Sequence, residues 1–199
     1  MHTSKTVETA LPLHPLLAGR WSPRGFDAGH RLDDTALAAL LEAARWAPSA
    51  NNSQPWRFLP TRRGERAFDL LTAALAEGNR AWAPRASMLL LVAAQTEDEA
   101  GRGRPWAQYD TGQAAAALVV QAEHLGLAVH QMGGFDTAAV TASLALPSTV
   151  RPVTVLAIGR HDPTATLPEA LAERERAPRT RLPLDTLLLP GAEPLGAAA

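Results

Sequence analysis

An arginine-rich segment near the start of the chain is the first place where residue type and spacing suggest chemistry. Arg20, Ser22 and Arg24 alternate, so in an extended conformation their side chains point to the same side. The forked donors of arginine match the oxygens of a phosphate, and serine adds a hydroxyl. Two solvated surface arginines would explain the same residues. The segment is therefore a candidate phosphate site.

Two further segments could hold a flat ligand. Residues 49–54 (SANNSQ) form a polar loop between two prolines, and their amides both donate and accept hydrogen bonds, as a ring with alternating N–H and C=O groups requires. An ordinary turn is the alternative. Residues 130–136 (HQMGGFD) contain paired glycines, which let backbone N–H groups approach a ligand closely. A plain connection before a helix at Asp136 explains this segment equally well.

Other kinds of catalytic site are missing from the sequence. The chain has no cysteine, which excludes thiolate zinc sites, iron–sulfur clusters and thiol nucleophiles. It has no G-x-S-x-G motif, and its six histidines lack the spacing of metal ligands. Neither G-x-G-x-x-G nor a phosphate-loop motif follows a strand. We therefore expect no metal, and we expect an organic cofactor to supply the chemistry.

Length and composition predict one domain over residues 12–190, with flexible ends at 1–11 and 191–199. A net charge of -1 argues against a nucleic-acid or membrane-surface binder. The longest apolar stretches, residues 88–94 and 114–120, are too short to cross a bilayer, and no secretory signal is visible. These features predict a soluble, cytoplasmic protein.

Helices and strands alternate along the chain. Asp33 or Asp34 caps one helix, and Asp110 or Thr111 caps another that closes at Gly126. The second helix is apolar all round, which predicts burial and would suit a subunit interface. Further elements are a helix at 65–77, a short helix after 136, strands at 56–59, 88–94, 127–132 and 152–158, and an edge strand at 187–189. This pattern favours an α+β sandwich with a central sheet over a Rossmann domain.

Together these segments resemble the FMN-binding nitroreductase family from about Arg20 to Leu189. The most specific motifs are EAARWAPSANNSQPW at 42–56 and GLAVHQMGGFD at 126–136. Supporting motifs are R-x-S-x-R-x-F at 20–26, Gly78-Asn79, YDTGQAAA at 109–116, PVTVLAIG at 152–159 and PRTRLP at 178–183. The resemblance implies a nitroreductase-like α/β sandwich of the α+β class. Its mostly antiparallel central sheet would be flanked by helices in an intertwined homodimer.

The resemblance also implies which residues contact FMN. The phosphate, the ribityl chain and the pyrimidine side would be held by Arg20, Trp21, Ser22, Arg24, Arg179 and Arg181. The partner subunit would contribute Pro48, Ser49, Ala50 and Asn52. The pyrimidine edge would bond to Asn79. The ring near its reactive nitrogen would be lined by Gln131, Met132, Gly133 and Gly134.

Two positions depart from the family pattern. Many members carry a lysine shortly after the asparagine, whereas Trp82 stands three positions after Asn79 here. Many also carry a glutamate where this chain has Gly133. A missing cation weakens stabilisation of the anionic reduced ring unless Arg24 supplies the charge, and a missing glutamate alters nicotinamide docking. Trp82 and Trp106 are candidates for shaping the substrate pocket, although a single tryptophan belongs more often to a core.

The implied function is a ping-pong oxidoreductase that uses NAD(P)H as co-substrate and reduces a nitroaromatic, a quinone or an enone. The flavin carries the chemistry, so no side chain needs to act as an acid–base catalyst. Three alternatives stay open at this point. They are an aldehyde reductase or peptide-tailoring dehydrogenase on the same scaffold, a flavin storage or sensor protein without turnover, and a structural domain without a cofactor.

Overall fold

The structure is a computed structural model that describes residues 5, 7, 9 and 11–191, so the predicted flexible ends lie largely outside it. The helices are α1 (Pro15–Gly19), α2 (Asp34–Arg45), α3 (Arg66–Ala74), α4 (Glu77–Arg80), α5 (Ala107–His124), α6 (Thr137–Ser143) and α7 (Glu169–Arg176). The strands are β1 (Trp56–Arg62), β2 (Met88–Gln95), β3 (Ala128–Met132) and β4 (Val150–Gly159). Short turns of 3-10 helix occur at Ala50–Asn52, Ala83–Arg85 and Leu184–Leu187.

The four strands form one antiparallel sheet in the order β1-β2-β4-β3. The central strand β2 is buried on both faces, as its continuous apolar run predicts. Met88, Leu90 and Val92 pack into a core shared with α2 and α5. Leu89 and Leu91 pack into a second core, to which α3 and α6 contribute. Helices therefore cover both faces of the sheet, which confirms the predicted α+β sandwich.

The ends of the two long helices differ in how well the sequence predicts them. Asp33 caps α2 by accepting a hydrogen bond from a backbone N–H three residues on, at 2.7 Å, as predicted. The cap predicted at Asp110 or Thr111 is wrong, because α5 begins at Ala107 and both residues lie inside its first turns. The Asp110 carboxylate accepts a bond from a distant loop instead. Gly126, with a φ angle of 68°, closes α5 as predicted.

The helix predicted over residues 65–77 is interrupted. α3 ends at Ala74, and Leu75 is extended and forms an isolated bridge with Phe135. The Ala76 N–H then donates to the Gly134 carbonyl at 2.9 Å before α4 begins. Because these partners lie far along the chain, local helical periodicity cannot reveal the break.

Two predicted strands also change. The strand predicted at 56–59 continues to Arg62 as β1. The edge strand predicted at 187–189 is wrong, since the tail forms a turn of 3-10 helix over Leu184–Leu187. Upstream of that turn, Arg179 Nη1 holds the tail against the N-terminal segment, where it donates to the carbonyls of Lys5 and Ala18 at 2.8 and 2.6 Å. Within the described residues, no helix has the length and apolarity to cross a membrane.

Candidate functional site

Three arginines from opposite ends of the chain lie together. Arg20 follows α1, Arg179 and Arg181 follow α7, and all three line one cleft of about 670 Å³. Burial and the charge of Arg181 lower the pKa of Arg20. Burial and the charges of Arg20 and Arg181 lower the pKa of Arg179, and Glu123 offsets only part of these effects. This repulsion between cations favours an anion in the cleft.

The hydrogen bonds of this arginine cluster (Arg20, Arg179 and Arg181) show which side chains keep donors for a ligand. Arg179 is fixed by the two backbone carbonyls that it contacts. Arg20 Nη1 donates to Ser22 Oγ at 3.3 Å. Arg181 Nη1 donates to the carbonyl of the residue before it at 2.7 Å. A guanidinium carries five N–H donors, and the two contacts named here use one nitrogen of Arg20 and one of Arg181 among the described residues, so both side chains can also bind an anion such as a phosphate.

Arg24 makes an ion pair with Glu175 on α7. Its backbone N–H donates to Glu175 Oε1 at 2.9 Å, and its Nη1 lies 3.6 Å from Oε2. Trp21 packs edge-on against His161, with ring centroids 5.3 Å apart, and Lys5 Nζ lies 4.6 Å from the Trp21 ring centroid. Nothing in the sequence singles out Glu175, because it lies in a run of alternating charges that is typical of a solvated helix.

A second candidate region contains the glycine pair (Gly133 and Gly134) and Asn79, the residue predicted to bond the pyrimidine edge of FMN. Asn79 Nδ2 donates to the Gly134 carbonyl at 3.0 Å. A Cβ atom on Gly134 would lie 3.2 Å from Asn79 Nδ2 and 3.4 Å from Ala76 Cβ, so a larger residue would have to displace the Asn79 amide slightly. No atom lies within 4 Å of the position that a Gly133 Cβ would take. The Gly133 backbone is therefore open to a ligand.

The residues before the glycines form the end of β3. Gln131 is exposed and Met132 is buried, as alternation along a strand requires. The Met132 carbonyl accepts a bond from Thr154 Oγ1 at 3.1 Å. His130 Nδ1 lies 3.0 Å from the Pro23 carbonyl, and burial lowers the pKa of His130. These contacts fix the strand that leads into the glycine pair.

The polar loop after Pro48 has a strained backbone. Positive φ angles of 52°, 52° and 44° occur at Asn51, Asn52 and Gln54. The Gln54 N–H donates to Ser49 Oγ at 3.0 Å, which closes the loop on itself. The Ala50 N–H donates to Asp110 Oδ2 at 3.1 Å. Asp110 is only 3% exposed, so a buried carboxylate on α5 anchors the loop.

A single chain does not combine this loop with the arginine cluster. The loop lines a cleft of about 590 Å³ together with Trp106, and that cleft shares no residue with the one that the arginines line. Trp106 is 61% exposed at the start of α5. Trp82 is 1% exposed and stacks on Phe26, with ring centroids 6.0 Å apart, so its indole is part of the core.

The side chains that are present suit the parts of FMN. The arginine cluster suits a phosphate, whereas amides and an open glycine backbone suit the edge of a flat heteroaromatic ring. Among the described residues, no group of three or more His, Asp or Glu side chains is arranged to hold a metal ion.

Comparison with known proteins identifies the family. The model of the nitroreductase family matches residues 17–79 and 60–160, a span that includes the first arginines, the polar loop and the glycine pair. This chain belongs to the nitroreductase family. The assignment confirms the resemblance that the sequence motifs indicate. The two matched ranges together cover well over half of the chain.

Three proteins illustrate how closely this nitroreductase resembles its relatives. A crystal structure of an oxidoreductase containing FMN is 36% identical, with a TM-score of 0.87 over 96% of this chain and 98% of that one. A Desulfovibrio desulfuricans protein, provisionally classed as a nitroreductase and crystallised with FMN, is 26% identical, with a TM-score of 0.73 over 92% and 99% of the two chains. A Leptothrix cholodnii protein, provisionally named NADH dehydrogenase/NAD(P)H nitroreductase, is 28% identical over 156 residues, or 67% and 78% of the two chains.

Proposed function

We propose that this nitroreductase binds FMN between two copies of the chain and uses NAD(P)H to reduce an electron-poor acceptor, such as a nitroaromatic, a quinone or an enone. The arginine cluster carries the proposal, because three cations from both chain ends lie where an anion would relieve their repulsion. The related structures that hold FMN support the identity of the ligand. The name of the Leptothrix relative supports NAD(P)H as the electron donor.

In this proposal the chain binds and orients the cofactor. The phosphate is held by Arg20, Ser22, Arg179 and Arg181, and the ring is lined by Asn79, Gln131, Met132, Gly133 and Gly134. When bound, FMN supplies two-electron chemistry by accepting and releasing a hydride. The core position of Trp82 leaves Arg24 as the candidate cation for the pyrimidine side, where it would share its charge with Glu175.

A second copy of the chain would complete the site. Its polar loop, with Pro48, Ser49, Ala50 and Asn52, would reach the ring that the first copy holds. Supporting this, α5 leaves one side at least partly exposed in the single chain, at Tyr109, Gly112, Gln113, Ala116 and Val120. These residues recur every three or four positions and so share one face of the helix. The small or apolar residues on this face, Gly112, Ala116 and Val120, suit close packing against the same helix of a partner.

Donor and acceptor would use the same open face of the site in turn, which is a ping-pong cycle. The test is stopped-flow spectroscopy without oxygen. We expect NADPH or NADH to bleach the visible absorption of the bound flavin before any acceptor is added, and a quinone to restore it. Dithionite serves as the control, because it reduces any accessible flavin. Flavin that dithionite bleaches and both nicotinamides leave oxidised would contradict the proposed function.

A further inference from the structure

A cleft of about 920 Å³ begins beside Gly133. One wall consists of α6, which contributes Thr137 and Thr141. The other wall is formed by the first residues of β4 and the segment before it, including Ser148 and Arg151. Gly133 has no side chain, and apart from its chain neighbours no described atom lies within 4 Å of its Cβ position, so the cleft is unobstructed beside Gly133.

The described residues that line this cleft carry positive charge and no negative charge. Of the described residues that line it, Arg151 alone is ionisable. Its Nε and Nη1 lie 2.8 and 3.2 Å from the side-chain oxygen of Gln108, when that amide is oriented to accept. This neutral partner holds the guanidinium without cancelling its charge. The nearby Asp136 carboxylate does not line the cleft and is occupied as the cap of α6, where it accepts from the Ala139 N–H at 2.9 Å.

We propose that this cleft selects acceptors that carry a carboxylate or similar anionic group, and that Arg151 determines this specificity. The inference rests on the proposed function, because Gly133 is the residue expected to line the ring. An acceptor with its reducible group at the Gly133 end would extend towards Arg151 within the cleft. Hydroxyls of Thr137 and Ser148 would supply further donors to the anionic group.

Equilibrium binding tests this selection independently of redox activity. Benzoate and benzamide have nearly the same shape and differ in charge, so calorimetry on the holoprotein should show tighter binding of benzoate. In Arg151→Gln we expect benzoate affinity to fall about tenfold while benzamide affinity is unchanged. Arg66→Gln, which removes an exposed arginine outside the cleft, is the matched control and should change neither.

A second variant guards against a merely structural effect of losing Arg151. Thr137→Asp places a carboxylate in the α6 wall of the cleft, across from the wall that holds Arg151, at the N-terminal end of α6 where acidic residues are tolerated. It should weaken benzoate binding and spare benzamide binding. Equal affinity of the unmodified protein for benzoate and benzamide, or full benzoate affinity in Arg151→Gln, would overturn the inference.

Steady-state kinetics show whether the anionic group that Arg151 binds belongs to the acceptor or to the nicotinamide cofactor. The ratio of kcat/KM for 4-nitrobenzoate to that for 4-nitrobenzamide should fall about tenfold in Arg151→Gln, with the KM values of NADPH and NADH unchanged. A raised KM for NADPH alone would place the anion on the donor and overturn the inference. Flavin that NADPH and NADH fail to bleach would instead contradict the proposed function, whereas the benzoate result tests the charge of the cleft by itself.

Discussion

At the scale of single residues, charge placement is the feature that most constrains the site. Arg20, Arg179 and Arg181 repel one another in a partly buried cleft, which is unfavourable unless an anion binds there. The alternation of Arg20, Ser22 and Arg24 predicts a phosphate site at Arg20, whereas Arg179 and Arg181 are implied by the family resemblance. Their proximity could not be derived from spacing, because nearly the whole chain separates Arg20 from the other two.

Replacing Arg181 tests whether the cluster holds the phosphate. In Arg181→Gln we expect the Kd for FMN to rise about tenfold, because one charge-assisted hydrogen-bond donor to the phosphate is lost. Riboflavin lacks that phosphate, so its Kd should stay the same. Fluorescence titration of both ligands measures the difference, with Arg66→Gln as a charge-matched control. An equal loss of affinity for both ligands would contradict this role.

Asp110 is the second residue with a testable role. In Asp110→Ala the Ala50 N–H loses its acceptor, so we expect the free energy of unfolding to fall by about 1–3 kcal/mol. The affinity for FMN should fall as well, because the strained loop loses its anchor. Asp110→Asn keeps an oxygen that can accept this hydrogen bond, so it should lose less stability and less FMN affinity than Asp110→Ala. Urea denaturation and FMN titration give the two values, and an Ala variant that matches the original chain in both would refute the role.

Among the helices and strands, the sequence predicts those features that depend on a local pattern of residues. β2 follows from its apolar run, and both ends of α2 follow from Asp33 and from the proline beyond Arg45. The features that were missed depend on contacts between distant segments. Leu75 breaks the helical run because it pairs with Phe135, and Asp110 lies inside α5 because its carboxylate is used by the polar loop.

The connection between β3 and α6 can be tested with its two glycines. In Gly134→Ala the new methyl group would crowd Asn79 Nδ2 and Ala76 Cβ, so we expect a loss of about 1–3 kcal/mol in the free energy of unfolding. Gly133→Ala meets no neighbour and should change stability by less than about 0.5 kcal/mol. Thermal unfolding of the two variants side by side gives the comparison. Equal effects would contradict the close packing at Gly134.

In the molecule as a whole, the parts of the proposed cofactor site lie at separate places on one chain. The polar loop and the arginine cluster line different clefts, and α5 leaves a face with Gly112, Ala116 and Val120 at least partly exposed. A pattern within one sequence can identify such a face, but it does not state which residues of two copies meet. For that reason the homodimer is predicted from the family resemblance, and it is part of the proposed function.

Sedimentation velocity followed at the visible absorption of flavin tests whether two copies of the chain build one FMN site. It reports only the species that carry flavin, and it gives their mass. We expect FMN to sediment with a species of twice the 21.1 kDa chain mass, at one FMN per chain. Flavin that sediments with a single chain, or that remains free at saturating protein, would contradict a cofactor site built from two copies.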